Sequence, residues 1–161
     1  MTDLLPLLQQ FYQDKLALLL RHQAGARLIG QYDVNNTYQY IINREDTQLS
    51  WLAAAITELG GIVNDSATEP DRRPEGVEDP ARAVVREDSA DAQAFVDRWR
   101  ERVEAMSNAR HRGMLRVILG ETLEQKRFFD LALAGETDLL GRRTKPVGAR
   151  IGEVLPTRWI E

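Results

Sequence analysis

Apolar residues recur at steps of three and four in four separate stretches of this chain, and that period admits little besides amphipathic helices packed around a shared core. The first stretch carries Leu5, Leu8, Tyr12, Leu16, Leu19, Ala26 and Ile29. The second carries Tyr38, Ile41, Ile42, Leu49, Leu52, Ile56 and Leu59, after a break at 30–32 with Asp33 as its expected N-cap. The third carries Phe95, Val96, Trp99, Val103 and Met106, and the fourth Met114, Val117, Ile118, Phe128, Leu131 and Ala132. The spacing predicts helices over about 3–29, 34–59, 89–107 and 110–134. Gly60-Gly61 ends the second, and the short first break makes an antiparallel hairpin of helices one and two.

Residues 61–88 lose the period, with Pro70, Pro74, Gly76 and Pro80 and eight acidic against four basic side chains. A connection of that length suits a bundle whose third helix must return parallel to its second. The expected architecture is therefore all-α: an antiparallel four-helix bundle over 1–134 with a long crossover between helices two and three, capped at Asp88 or Ser89. Residues 135–161 follow as an irregular tail. Its apolar pairs Leu139-Leu140, Val154-Leu155 and Trp159-Ile160 predict docking on the bundle or on a partner subunit, the rival being a peptide address presented to a larger assembly partner.

At 161 residues and 43% apolar, the chain is sized for one domain with a full core. A formal net charge of −4 gives no electrostatic case for nucleic acid or an anionic membrane. The absence of cysteine excludes disulfides, thiolate metal sites and cysteine nucleophiles, and suits a reducing cytoplasm. Asp3 and the polar run Gln9, Gln10, Gln13, Asp14 and Lys15 interrupt the leucines of the first helix, against a signal peptide or a spanning segment. The chain has no P-loop, Gly-x-Ser-x-Gly or Rossmann fingerprint.

Polar residues on the apolar stripes carry the functional question. The face of the second helix runs Tyr38, Ile41, Glu45, Gln48, Leu52, Ile56, and that of the fourth Met114, Val117, Glu121, Gln125, Phe128, Leu131. Each places a glutamate and a glutamine about one turn apart in the core line. A buried carboxylate without a partner costs several kcal/mol, so these pairs require a cation, a buried hydrogen-bond network, or an arginine such as Arg44 or Arg127.

On these residues the chain resembles the ferritin-like superfamily of the rubrerythrin and bacterioferritin kind, over about residues 3–134. The best local match is Arg44-Glu45-Asp46-Thr47-Gln48-Leu49-Ser50-Trp51-Leu52, with the helix ending Ile56-Thr57-Glu58-Leu59-Gly60-Gly61. In that family the second and fourth helices each carry Glu-x-x-His, and the first and third each add a glutamate. Here Glu45 occupies the glutamate place of the second helix and Gln48 stands for its histidine. In the fourth helix Gln125 takes the histidine place and Thr122 the glutamate place, with Glu121 and Glu124 beside them as substitutes. No inward glutamate is expected on the first or third helix.

The resemblance implies a ferritin-like protein without a working di-iron centre, acting as a binding or assembly component, homodimeric and with no cofactor. The rival is a metal-dependent oxidoreductase or metal store using Glu45 and Glu121 with a non-standard divalent ion, helped by Glu124, Gln48, Gln125 and a single imidazole from His22. A further alternative is an unrelated bundle binding a small molecule between its helices. His22 equally suits a bond to a neighbouring backbone group or carboxylate. His111, in Arg110-His111-Arg112, reads as part of a solvated basic cluster, and Arg98, Arg100 and Arg102 as a solvated face. Trp51, Trp99 and Trp159 read as core and interface filling.

Overall fold

A computed structural model describes residues 3–136 and 138–140. These form four helices, α1 Leu4–Ala26, α2 Tyr32–Glu58, α3 Pro80–Glu104 and α4 Ala109–Leu133, and no strands among the described residues. No helix among them is long and apolar enough to cross a membrane.

Three of the helix starts are fixed by side chains. Gln31 accepts from the Val34 amide, Asp79 from Arg82 and Asn108 from His111, each answering a backbone N–H that the first turn leaves open. The expected cap of α2, Asp33, lies inside its first turn instead. The third helix begins at residue 80 rather than 89, which corrects the sequence expectation. Pro80, read there as a breaker, is tolerated in the first turn because its missing N–H would have had no helical partner. Asp88 and Ser89 are accordingly buried in the third turn of α3 and cap nothing.

The short connections 27–31 and 105–108 make two hairpins, α1 with α2 and α3 with α4, which pack together through α1 on α3 and α2 on α4. The crossover 59–79 returns the chain along α1. Gln9 donates to the Ile62 carbonyl, Gln13 to that of Asn64, Tyr12 to Asp65, and Arg27 pairs with Glu69, so both segments ascend together. At its upper end Arg72 turns inward to Asp88 and to the Arg21 carbonyl. Gly25 makes room there, since a Cβ would lie 2.7 Å from Val84 Cγ1 and 2.8 Å from Arg72 Nη1. The third helix thus starts beside the end of α1 and runs parallel to α2, as the length of the connection predicts.

Two apolar clusters form the core. One contains Leu8, Phe11, Leu52, Phe95, Trp99 and Leu115; the other contains Ile29, Tyr38, Ile41, Val85, Phe129 and Leu139. Between them every helix contributes buried polar groups: Lys15 and His22 from α1, Glu45 and Gln48 from α2, Asp88 from α3, Thr122 and Gln125 from α4.

On α2 the buried line is Tyr38, Ile41, Glu45, Gln48, Leu52, Ile56, as its spacing predicts. The line on α4 departs in its first half, where Leu115, Ile118 and Thr122 are buried in place of Met114, Val117 and Glu121, while Gln125 and Phe128 are buried as expected. Val117, expected inside, is 49% exposed, and Met114 is half-buried. Steps of three and four can be entered from either Met114 or Leu115, and the packing of α3 against α4 selects the second. On α1 the deepest residues include Phe11, Lys15 and His22, beyond the apolar set that the period identifies. The tail beyond Leu140, with Val154-Leu155 and Trp159-Ile160, lies outside the described residues.

Candidate functional site

The polar layer is built around Glu45, whose side chain is wholly excluded from solvent. Its Oε1 lies 2.7 Å from His22 Nδ1, and its Oε2 pairs with the Lys15 ammonium at 3.2 Å. Lys15 Nζ also donates to Thr122 Oγ1 at 3.3 Å, and that hydroxyl in turn donates to the Ile118 carbonyl at 2.8 Å. A lysine is therefore held between α2 and α4, directly on the Glu45 carboxylate and on Thr122. Burial alone pushes the Glu45 carboxyl up, but the charges of His22 and Lys15 and their hydrogen bonds hold it below its ordinary value. For His22, burial favours the neutral ring, whereas Glu45 and the nearby Asp88 charge outweigh it and raise its pKa.

The other imidazole nitrogen, His22 Nε2, has no hydrogen-bond partner. The ring sits among aromatics instead, its centroid 6.1 Å from Tyr38 and 5.5 Å from Phe129. Tyr38 continues the layer toward the crossover, its hydroxyl donating to Asp88 Oδ2 at 2.5 Å while Arg72 holds Asp88 Oδ1 at 2.9 Å. Burial raises the pKa of Asp88 and raises that of Tyr38 further, so the phenol remains the donor.

Glu121 belongs to the edge of the layer. Arg44 grips it with two hydrogen bonds, at 3.1 and 2.7 Å, and Gln48 Nε2 donates to it at 2.7 Å. About a third of its side chain and of Arg44 remains exposed. Burial raises the Glu121 carboxyl and these donors bring it back below its usual range. Glu124 is exposed and paired with Arg127 one turn along α4, so it takes no part in the layer. Gln125 is buried, and its Oε1, like that of Gln48, has no partner.

Of the sequence candidates, the structure joins His22 to Glu45 and Gln48 to Glu121, buries Gln125, and leaves Glu124 on the surface. Of the two arginines expected to pair with these residues, Arg44 does so at Glu121, Arg127 is taken by Glu124, and neither reaches Glu45. Lys15 does, a residue read in the sequence only as an interruption of leucines. Its signal was positional, since Lys15 falls four residues after Phe11 and seven before His22, on the line that enters the core. His111 also departs from expectation: it is buried in the first turn of α4 with both ring nitrogens unpartnered. Burial and Arg110 lower its pKa. Trp99 is fully buried, with its indole N–H donated to Asp14 at 2.8 Å, whereas Trp51 lies half-buried beneath Arg44.

The donor set does not fit a di-iron centre. Both carboxylates are engaged by side-chain cations, and among the described residues no three of His, Cys, Asp or Glu are grouped to share an ion. Comparison with family models, curated proteins and solved structures finds no match to this chain.

Proposed function

We propose that this chain is a ferritin-like helical protein that works without a di-iron centre, as a cytoplasmic, homodimeric binding or assembly component. The Lys15 ammonium, 3.2 Å from Glu45 and 3.3 Å from Thr122, carries this reading. In a two-metal bundle the charge of the inward carboxylates is balanced by metal ions. Here a cation covalently attached to α1 balances Glu45, and Arg44 balances Glu121. A divalent ion would have to displace an ammonium that is already paired and hydrogen-bonded, and would meet its repulsion at close range. The lack of cysteine supports a reducing compartment.

Metal analysis of the full chain, purified without chelator and then dialysed against ferrous iron under argon, tests the reading. The expected result is no stoichiometric iron and no oxygen consumption on exposure to air. About two tightly held irons per chain would overturn it.

A further inference from the structure

The described chain ends at the end of the bundle where α1 finishes and α3 begins. Leu139 is buried there in the cluster of Ile29, Val85 and Phe129, and Leu140 packs against the same cluster. A groove of about 230 Å³ opens on this surface. It shares Ile29 and Val85 with the cluster and adds Val34, Ala81 and Ala132, with Gln31, Asp79 and Arg82 as its polar lining.

Twenty-one further residues, 141–161, leave from this point. They contain the apolar pairs Val154-Leu155 and Trp159-Ile160, and five basic against two acidic side chains. The preceding 140 residues carry sixteen basic and twenty-three acidic side chains, so body and tail have opposite net charge. Extended, the tail reaches about 70 Å, against about 37 Å for a 25-residue helix such as α3, so it is long enough to turn back into a groove beside its own exit.

We propose that segment 141–161 of the same chain occupies this groove, seating one of its apolar pairs against Val34, Ala81 and Val85, next to the cluster that already holds Leu139. Opposite net charge brings the tail toward the body, apolar burial seats it, and the short tether raises its local concentration over that of any second molecule.

Because the chain has no cysteine, paired cysteines report this without background. Ala81→Cys is combined with Glu153→Cys or Arg158→Cys in the full chain, with helicity checked first. Control chains carry the same tail cysteine with Asp97→Cys, exposed four turns along α3. A disulfide needs Cβ atoms within about 3.5–4.5 Å, so mild oxidation reads proximity. The expected result is an intrachain disulfide at Ala81→Cys forming on the order of tenfold faster than in the controls, and slowed toward them by adding Leu155→Asp and Trp159→Asp. Equal rates at the two helix positions would overturn the proposal. So would predominantly interchain products, which would assign the groove to a second copy.

Discussion

The Lys15 ammonium and the Glu45 carboxylate lie 3.2 Å apart with both side chains fully buried, on adjacent helices of one hairpin. Two charges withdrawn from water are costly, and their attraction offsets that cost only while both are present. Lys15→Met should therefore destabilise the fold by about 3–5 kcal/mol, leaving Glu45 without its ammonium. The double variant Lys15→Met with Glu45→Gln should recover most of the loss. Chemical denaturation of the four chains of that cycle measures it, and additive losses would show that the two groups do not act as a pair.

The two stripe glutamates should respond differently. Glu121→Gln keeps an acceptor for Arg44 and Gln48 at a partly exposed site, and is expected to cost about 1 kcal/mol or less. Glu45→Gln, which strands a buried ammonium, is expected to cost several kcal/mol. Equal midpoints in urea would contradict this ordering.

His22 gives the fold a pH dependence of definite sign. Its pKa is raised above 6.5 in the folded state by Glu45 and Asp88 against burial. A raised value contributes stability that is fully present below pH 6.5 and is lost as the pH rises through the folded value. His22→Gln should flatten this decline and also weaken the acid limb, because the His22 charge leads the causes that hold the Glu45 carboxyl below its ordinary 4.5. Stability measured from pH 5 to 9 for the two chains tests it; parallel curves would exclude His22 as the group responsible.

His111 has the opposite sign. Its pKa is lowered by burial and Arg110, so acid must charge a ring whose nitrogens have no partners. His111→Leu should be neutral at pH 8 and stabilising at pH 5, by about 1 kcal/mol or more. Melting temperatures at the two pH values decide this.

Two glycines in helices should separate cleanly. Gly25→Ala would drive a methyl group against Val84 and Arg72, the latter pinned by Asp88, and should cost about 1–3 kcal/mol. Gly120→Ala meets nothing within 4 Å and should stabilise by about 0.5–1 kcal/mol. A gain at position 25 would mean that Arg72 yields more readily than its hydrogen bonds imply.

The helices were legible because their apolar period is strong, and on α2 even the buried polar residues fell where the spacing put them. Glu45 and Gln48 sit at successive inward positions between Ile41 and Leu52, and no other face of α2 is comparably apolar. On α4, Met114-Leu115 and Val117-Ile118 supply two adjacent lines of similar hydrophobicity, and only the neighbouring helix distinguishes them. The start of α3 was hidden by Pro80, whose meaning reverses between a helix interior and a first turn. Lys15 was hidden for a different reason. A lysine on an amphipathic helix is ordinarily at the water edge, and its burial depends on a carboxylate thirty positions away that only the tertiary fold brings to it.

The crossing of the polar layer through both hairpins has a consequence for alignment. Within the first hairpin Lys15 meets Glu45, but Lys15 to Thr122, Gln48 to Glu121 and Tyr38 to Asp88 all connect one hairpin to the other. Leucine and valine faces would tolerate a slide of one helical turn, about 5.4 Å, with little loss, since one apolar ridge resembles the next. These donors and acceptors would not, because such a slide sets an ammonium and a phenol against hydrocarbon. The layer thus acts as a vernier between the two halves, admitting a single register out of the several that the apolar surfaces alone would accept.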